Sequence, residues 1–276
     1  MQLSTIGRPI DFKYKTNRAI SFTTIAVVLV ASIVRVATGS ALLDGMVWGG
    51  KAGLAVFLTW ALCRELDPEH DLSAFVGAFL LLGSVPWVGL PSLLLLFWML
   101  QASRIVNRTT GAPATILDSL VLLALATWLV RQFGVAVLYL TAGTFLVDGW
   151  IGPQGRRQLV IGGVAVAAGI GATLFHWAAS YGEQSPNACL IALAFTIVFA
   201  PVFIGTSKVK TKDDKSIARL HPLRIQSAQV MALLSGILLA LLLGETGLKS
   251  LAPLWAIAVG APFFWVVAKL RTGKAP

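Results

Sequence analysis

Apolar runs of roughly helical length, separated by short polar stretches, fill most of the chain. A membrane-crossing helix needs about 20 such residues. The first run extends from about Ala19 to Thr38 and the second from about Met46 to Cys63. A sharply polar stretch follows, Arg64-Glu65-Leu66-Asp67-Pro68-Glu69-His70-Asp71. The next apolar region, Leu72 to Ala102, is interrupted by Gly83-Ser84-Val85-Pro86 and by Gly89-Leu90-Pro91. Proline and glycine at this density stop or kink a helix. The pattern therefore predicts two short helices, about 72–84 and 89–102, as a short spanning pair or a re-entrant hairpin. The fifth and sixth runs, about Ile116–Val130 and Phe133–Val147, are separated only by Arg131-Gln132, which predicts a tight helical hairpin. The seventh covers about Gln158–Ser180 and the eighth about Ala188–Ile204. One long hydrophilic loop, about 205–226, precedes the last two, Ser227–Leu243 and Leu251–Leu270. In the seventh run Gly163, Ala167 and Gly171 recur every four residues, a spacing that predicts close helix packing on that face.

Composition sharpens this into a class. Of 276 residues, 57% are hydrophobic and 12% charged, against about 25% charged in ordinary soluble domains. The expectation is an all-α, polytopic integral membrane protein with about ten transmembrane helices in a single domain, 1–276. The net charge of +10 then reads as loop charge and not as a nucleic-acid footprint. With the N-terminus inside, every Lys and Arg except Arg35, Lys51, Arg131 and Lys249 falls on the inner side. Positive charge collects in cytoplasmic loops, so both termini are expected in the cytoplasm and the chain in the cell membrane. No Ala-x-Ala-like site closes the first apolar run, which predicts an uncleaved first helix. Cys63 and Cys189 lack nearby Cys or His partners and read as small apolar fillers. Five runs precede Arg131-Gln132 and five follow, the count expected of two inverted halves.

Candidate chemistry gathers at the inner ends of the helices. Asp67 and Asp71 follow the second run, Asp118 enters the fifth, and Asp148 ends the sixth. These carboxylates are the candidate metal-binding or acid/base groups, with Asp67 and Asp71 as a pair able to hold Mg²⁺. Arg64, Arg104, Asn107 and Arg108 lie at the same level and suit substrate phosphate. Thr141, Thr144 and Asp148 share one helical face aimed at that level. A structural reading stands beside this one. Asp71 serves as N-cap of the third helix, Asp67-Pro68-Glu69 as a turn, and Asp118 as a first-turn acid facing the helix dipole. Lys51 and His176 fall at the outer boundary and read as interfacial residues. The loop is expected either to lie on anionic lipid or to be an ordinary positive-inside loop. Asn107-Arg108-Thr109 is a glycosylation sequon by letter, but it is placed inside.

Arg64-Glu65-Leu66-Asp67 and Asp148 resemble the placement of Asp-rich motifs in intramembrane prenyltransferases. That family carries them at the cytoplasmic ends of its second and sixth helices, and is basic and of similar length. The resemblance covers the topology and these few residues. Where the family's Asn-Asp-x-x-Asp-type run would fall, this chain has Thr59-Trp60-Ala61-Leu62-Cys63. Only Asp67, and less closely Asp71, matches, which removes most of the metal site, so membership is not assigned. Three functions are carried forward. An enzyme acting on a lipid-linked or isoprenoid phosphate at the cytoplasmic interface predicts convergence of the four aspartates. A ten-helix transporter of a small metabolite or lipid predicts a mid-depth cavity between related halves. A non-catalytic subunit, with a protein partner in the membrane, predicts neither.

Overall fold

The computed structural model describes residues 4–152, 155–177, 185–214 and 218–272. They form α1 (Lys15–Ala37), α2 (Leu42–Leu66), α3 (Ser73–Val88), α4 (Leu93–Asn107), α5 (Ile116–Phe133) and α6 (Ala136–Ile151). Then follow α7 (Gly155–Leu174), α8 (Pro186–Gly205), α9 (Pro222–Leu243), the short α10 (Glu245–Ser250) and α11 (Ala252–Thr272). No strand occurs among the described residues; Lys212 and Arg219 make an isolated bridge. Seven helices, α1, α2, α5, α7, α8, α9 and α11, are long and apolar enough to cross a membrane. The apolar helices α3, α4 and α6 are shorter. Each expected apolar run coincides with a helix, although the seventh, expected to reach Ser180, ends as α7 at Leu174 and its last three residues lie outside the described ones; α10 is an additional helix.

Local chemistry sets the ends. Pro86 was expected to break α3, but it lies in the last turn, and α3 continues to Val88 before Gly89 turns with φ 79°. Ser92 caps α4 by accepting from the Leu95 N–H. Arg108 ends α4 in the left-handed region, at φ 53°. Asp118 and Thr115 close a capping box on α5. Pro222 occupies the first turn of α9, where its missing N–H costs nothing. The hydrophilic loop is therefore shorter than expected, and Arg224 belongs to a buried helical turn.

The centre of the bundle is α2, α4, α6 and α9. The closest helix packing is not the stripe expected on α7. No atom lies within 4 Å of where a Cβ at Gly163 or Gly171 would stand. The face of α7 that meets α6 is carried instead by Gly162, Ala165 and Gly169. A second stripe, Gly45, Gly49 and Gly53, lets α2 lie directly on α1, where a Cβ at Gly49 would strike Ser32 Oγ and Val28 O. The two halves of the chain do not pack alike. The second helix of the first half, α2, touches α1, α3 and α4, whereas α7 packs mainly on α6. Large apolar side chains such as Phe22, Ile33, Val160 and Ile197 stand exposed on α1, α7 and α8, as a lipid-facing surface requires.

Candidate functional site

The C-terminal ends of α2, α4 and α6 meet the N-terminal ends of α5 and α9 in one polar layer. Two carboxylates in it are fully buried. Glu65, in the last turn of α2, accepts from Arg104 Nε at 3.0 Å, Arg8 Nη1 at 3.4 Å and Thr109 Oγ1 at 2.7 Å. Asn107 Nδ2 donates to the Glu65 backbone carbonyl at 2.7 Å. Asp148, near the end of α6, takes a fork from Arg108, Nε to Oδ1 at 2.9 Å and Nη2 to Oδ2 at 3.0 Å. Arg224 Nη1 adds a third bond to Asp148 Oδ1 at 2.7 Å and also donates to the Val106 carbonyl. Gly152 closes this group: a Cβ there would fall 2.6 Å from Arg108 Nη2 and 2.8 Å from Arg224 Nη2.

The other candidate aspartates lie apart from these two and from one another in their bonding. Asp67 is buried and accepts from Ser73 Oγ at 2.7 Å and Trp265 Nε1 at 3.4 Å, with His70 Nδ1 2.9 Å away. Asp71 is 48% exposed and pairs with Arg64 at 3.0 Å. It does not cap α3, whose N-cap is Leu72. Asp118 accepts from the backbone N–H groups of Thr115 and Thr5, at 2.8 and 3.0 Å. Thr141 accepts from Trp98 Nε1, and Thr144 bonds the Leu140 carbonyl, so that face of α6 is committed to packing. Among the described residues no three His, Cys, Asp or Glu side chains are grouped as a metal ion would need. The carboxylates present therefore do not fit the Mg²⁺ site expected of Asp67 and Asp71.

Two segments cover this layer. The first is a strap, residues 4–14. Thr5 is held by Asp118 and the Pro113 carbonyl, Ile6 is buried, and Arg8 bridges Glu65 to Asp214. Burial opposes the Arg8 charge, but the Glu65 and Asp214 carboxylates more than offset it and raise its pKa. The second is the 209–214 loop. The Lys210 and Thr211 N–H groups and Thr211 Oγ1 donate to Glu69, and Asp214 N–H donates to the Thr109 carbonyl.

Between strap, loop and α2 lies a cavity of about 720 Å³. One part of its wall is cationic, with Arg8, Arg64 and Arg104. Another is aromatic, with Tyr14, Phe57 and Trp60. Arg64 stands over the Trp60 ring, 5.4 Å from its centroid. Two buried polar atoms of the lining, Trp60 Nε1 and Thr110 Oγ1, have no hydrogen-bond partner among the described residues, a costly state inside a protein. Sequence reasoning named Arg64 and Arg104 but missed Arg8, Trp60 and Thr110. Trp60, at the apolar-to-polar boundary of the second run, was the available signal. No protein-family model, curated protein or solved structure matches the chain.

Proposed function

We propose that the chain is a ten-helix protein of the cell membrane with both termini in the cytoplasm, and that it handles a phosphate-bearing amphiphile in the strap-covered cavity. The contacts just described support an even number of crossings between the strap and the 209–214 loop. The strap and the turns after α2, α4 and α8 all touch one another, so the helices between them return to the same end. The inner placement follows the positive charge on that end.

The observation that carries the ligand is the split wall of the cavity. Guanidiniums suit phosphate oxygens, and Tyr14, Phe57 and Trp60 offer apolar surface for the start of a chain. Its volume is that of a small-molecule pocket. Arg64 and Arg104 keep the phosphate-binding role expected from sequence, and Arg8 joins them. The four aspartates do not converge as an enzyme of a lipid-linked phosphate would require, so the proposal is one of binding. Asn107 and Arg108 act in it as supports of the Glu65 and Asp148 groups and not as ligands.

The test uses the purified full chain in detergent. Dodecyl methyl phosphate, a singly charged diester, is titrated against dodecanol, with binding followed by calorimetry. The phosphate is expected to bind and the alcohol not, and Arg64→Ala should weaken the phosphate about tenfold, the size of one charge-assisted hydrogen bond. Equal behaviour of the two amphiphiles sinks the reading.

A further inference from the structure

We infer that the headgroup is zwitterionic, a phosphate carrying an amine or quaternary ammonium, as in a zwitterionic phospholipid. This rests on the reading of the cavity as a phosphate-amphiphile site. The chain as a whole carries +10, yet the cavity lining is charge-balanced. Its cations are Arg8, Arg64, Arg104 and Lys212. Its carboxylates, equal in number, are Asp11, Glu65, Asp213 and Asp214.

The arginines are also already engaged. Arg8 is held by Glu65 and Asp214, Arg104 by Glu65, and Arg64 by Asp71. A diphosphate or other multiply charged headgroup would bring uncompensated negative charge into a partly buried site that is neutral before it arrives, which is expensive. A neutral headgroup with separated charges exchanges partners without that cost. Its phosphate takes Arg64, whose present partner Asp71 is half exposed and free to return to water. Its ammonium meets Asp11, an exposed carboxylate on the strap that accepts from the Lys13 N–H. The aromatic wall completes the fit, because ring faces attract cations. Arg64 over Trp60 shows that this ring already takes one. Thr110 Oγ1 and Trp60 Nε1 supply donors for the remaining headgroup oxygens after small side-chain shifts.

The test compares four probes on the full chain in detergent by native mass spectrometry. They are dioctanoyl phosphatidylethanolamine, dioctanoyl phosphatidylglycerol, dioctanoylglycerol and phosphoethanolamine. The expected result is tighter binding of the ethanolamine lipid than of the glycerol lipid by about tenfold, the size of one partly desolvated cation–π contact. Asp11→Asn is expected to erase that preference, weakening the ethanolamine lipid and, because the lining then carries a net positive charge, tightening the glycerol lipid. Equal or tighter binding of phosphatidylglycerol, still weakened by Arg64→Ala, overturns the zwitterion inference and leaves the phosphate reading standing. If neither phospholipid exceeds dioctanoylglycerol, the phosphate reading fails and the inference with it. Phosphoethanolamine binding as tightly as the lipid would overturn the lipid assignment in favour of a free zwitterion.

Discussion

Glu65 and Asp148 are the same kind of group placed in two kinds of setting. Each is a fully buried carboxylate held by two arginines. The partners of Asp148 come from α4 and α9, and Gly152 leaves no space beside them. One of the partners of Glu65 is Arg8, carried by the strap and 24% exposed, and the group borders the cavity. The first arrangement staples three helices. The second ties the strap to the end of α2 beside the cavity. A buried ion pair thus joins helix ends in one place and an extended segment to a helix in the other.

That contrast can be broken by experiment. The largest effect is expected for Asp148→Ala, which leaves Arg108 and Arg224 buried without their carboxylate. Loss of a buried partner costs about 3–5 kcal/mol, and thermal unfolding in detergent should register most of it. Glu65→Ala is expected to cost less, about 1–3 kcal/mol, since Arg8 retains Asp214 and only Arg104 and Thr109 lose a buried partner. Equal losses in the two variants would erase the distinction. Arg8→Ala should cost at most about 1 kcal/mol, as partly exposed ion pairs do. It should nonetheless raise amide exchange in residues 5–8 well above that of the α4 and α9 ends; unchanged exchange there would mean that the strap is held by Thr5 alone.

The smallest effect is one of acidity. Burial would raise the Glu69 carboxyl, but hydrogen bonds from Lys210 and Thr211 outweigh it and hold the group below its usual value. A lowered carboxylate contributes above its ordinary value of about 4.3 and loses that contribution as pH falls through the folded value. The amide exchange rate at Lys210 and Thr211, divided by the intrinsic rate at each pH, should therefore be flat from neutrality down to about pH 5 and rise only in stronger acid. A rise already near pH 6 would show that another group docks the loop.

The helices were legible because each is an apolar run bounded by residues that end helices, and burial in lipid leaves little other choice of structure. The gathering of charge at the helix ends was legible too, in the polar stretches between the apolar runs. What the residues do there was not. Asp118 was read correctly as a first-turn acid, but its bond to Thr5 joins positions 113 residues apart, and no local pattern encodes that. Arg224 was counted with the loop, although Pro222, a common first-turn residue, marked an earlier helix start. The Gly45, Gly49 and Gly53 spacing was visible, but Gly163, Ala167 and Gly171 have the same period. Only the position of the neighbouring helix decides which stripe is used. The four aspartates looked alike in sequence, and their partners, a cap, a histidine and serine, a partly buried arginine and an arginine fork, separate them.

The long reach of the strap also bears on how the protein is made. Thr5 finds Asp118 only after 113 further residues have been synthesised, and Arg8 finds Asp214 only after 206. Through that interval Arg8 has no loop partner. The cover therefore closes only after α8 and its following loop exist, and a chain stalled earlier would carry its helices but no enclosed site.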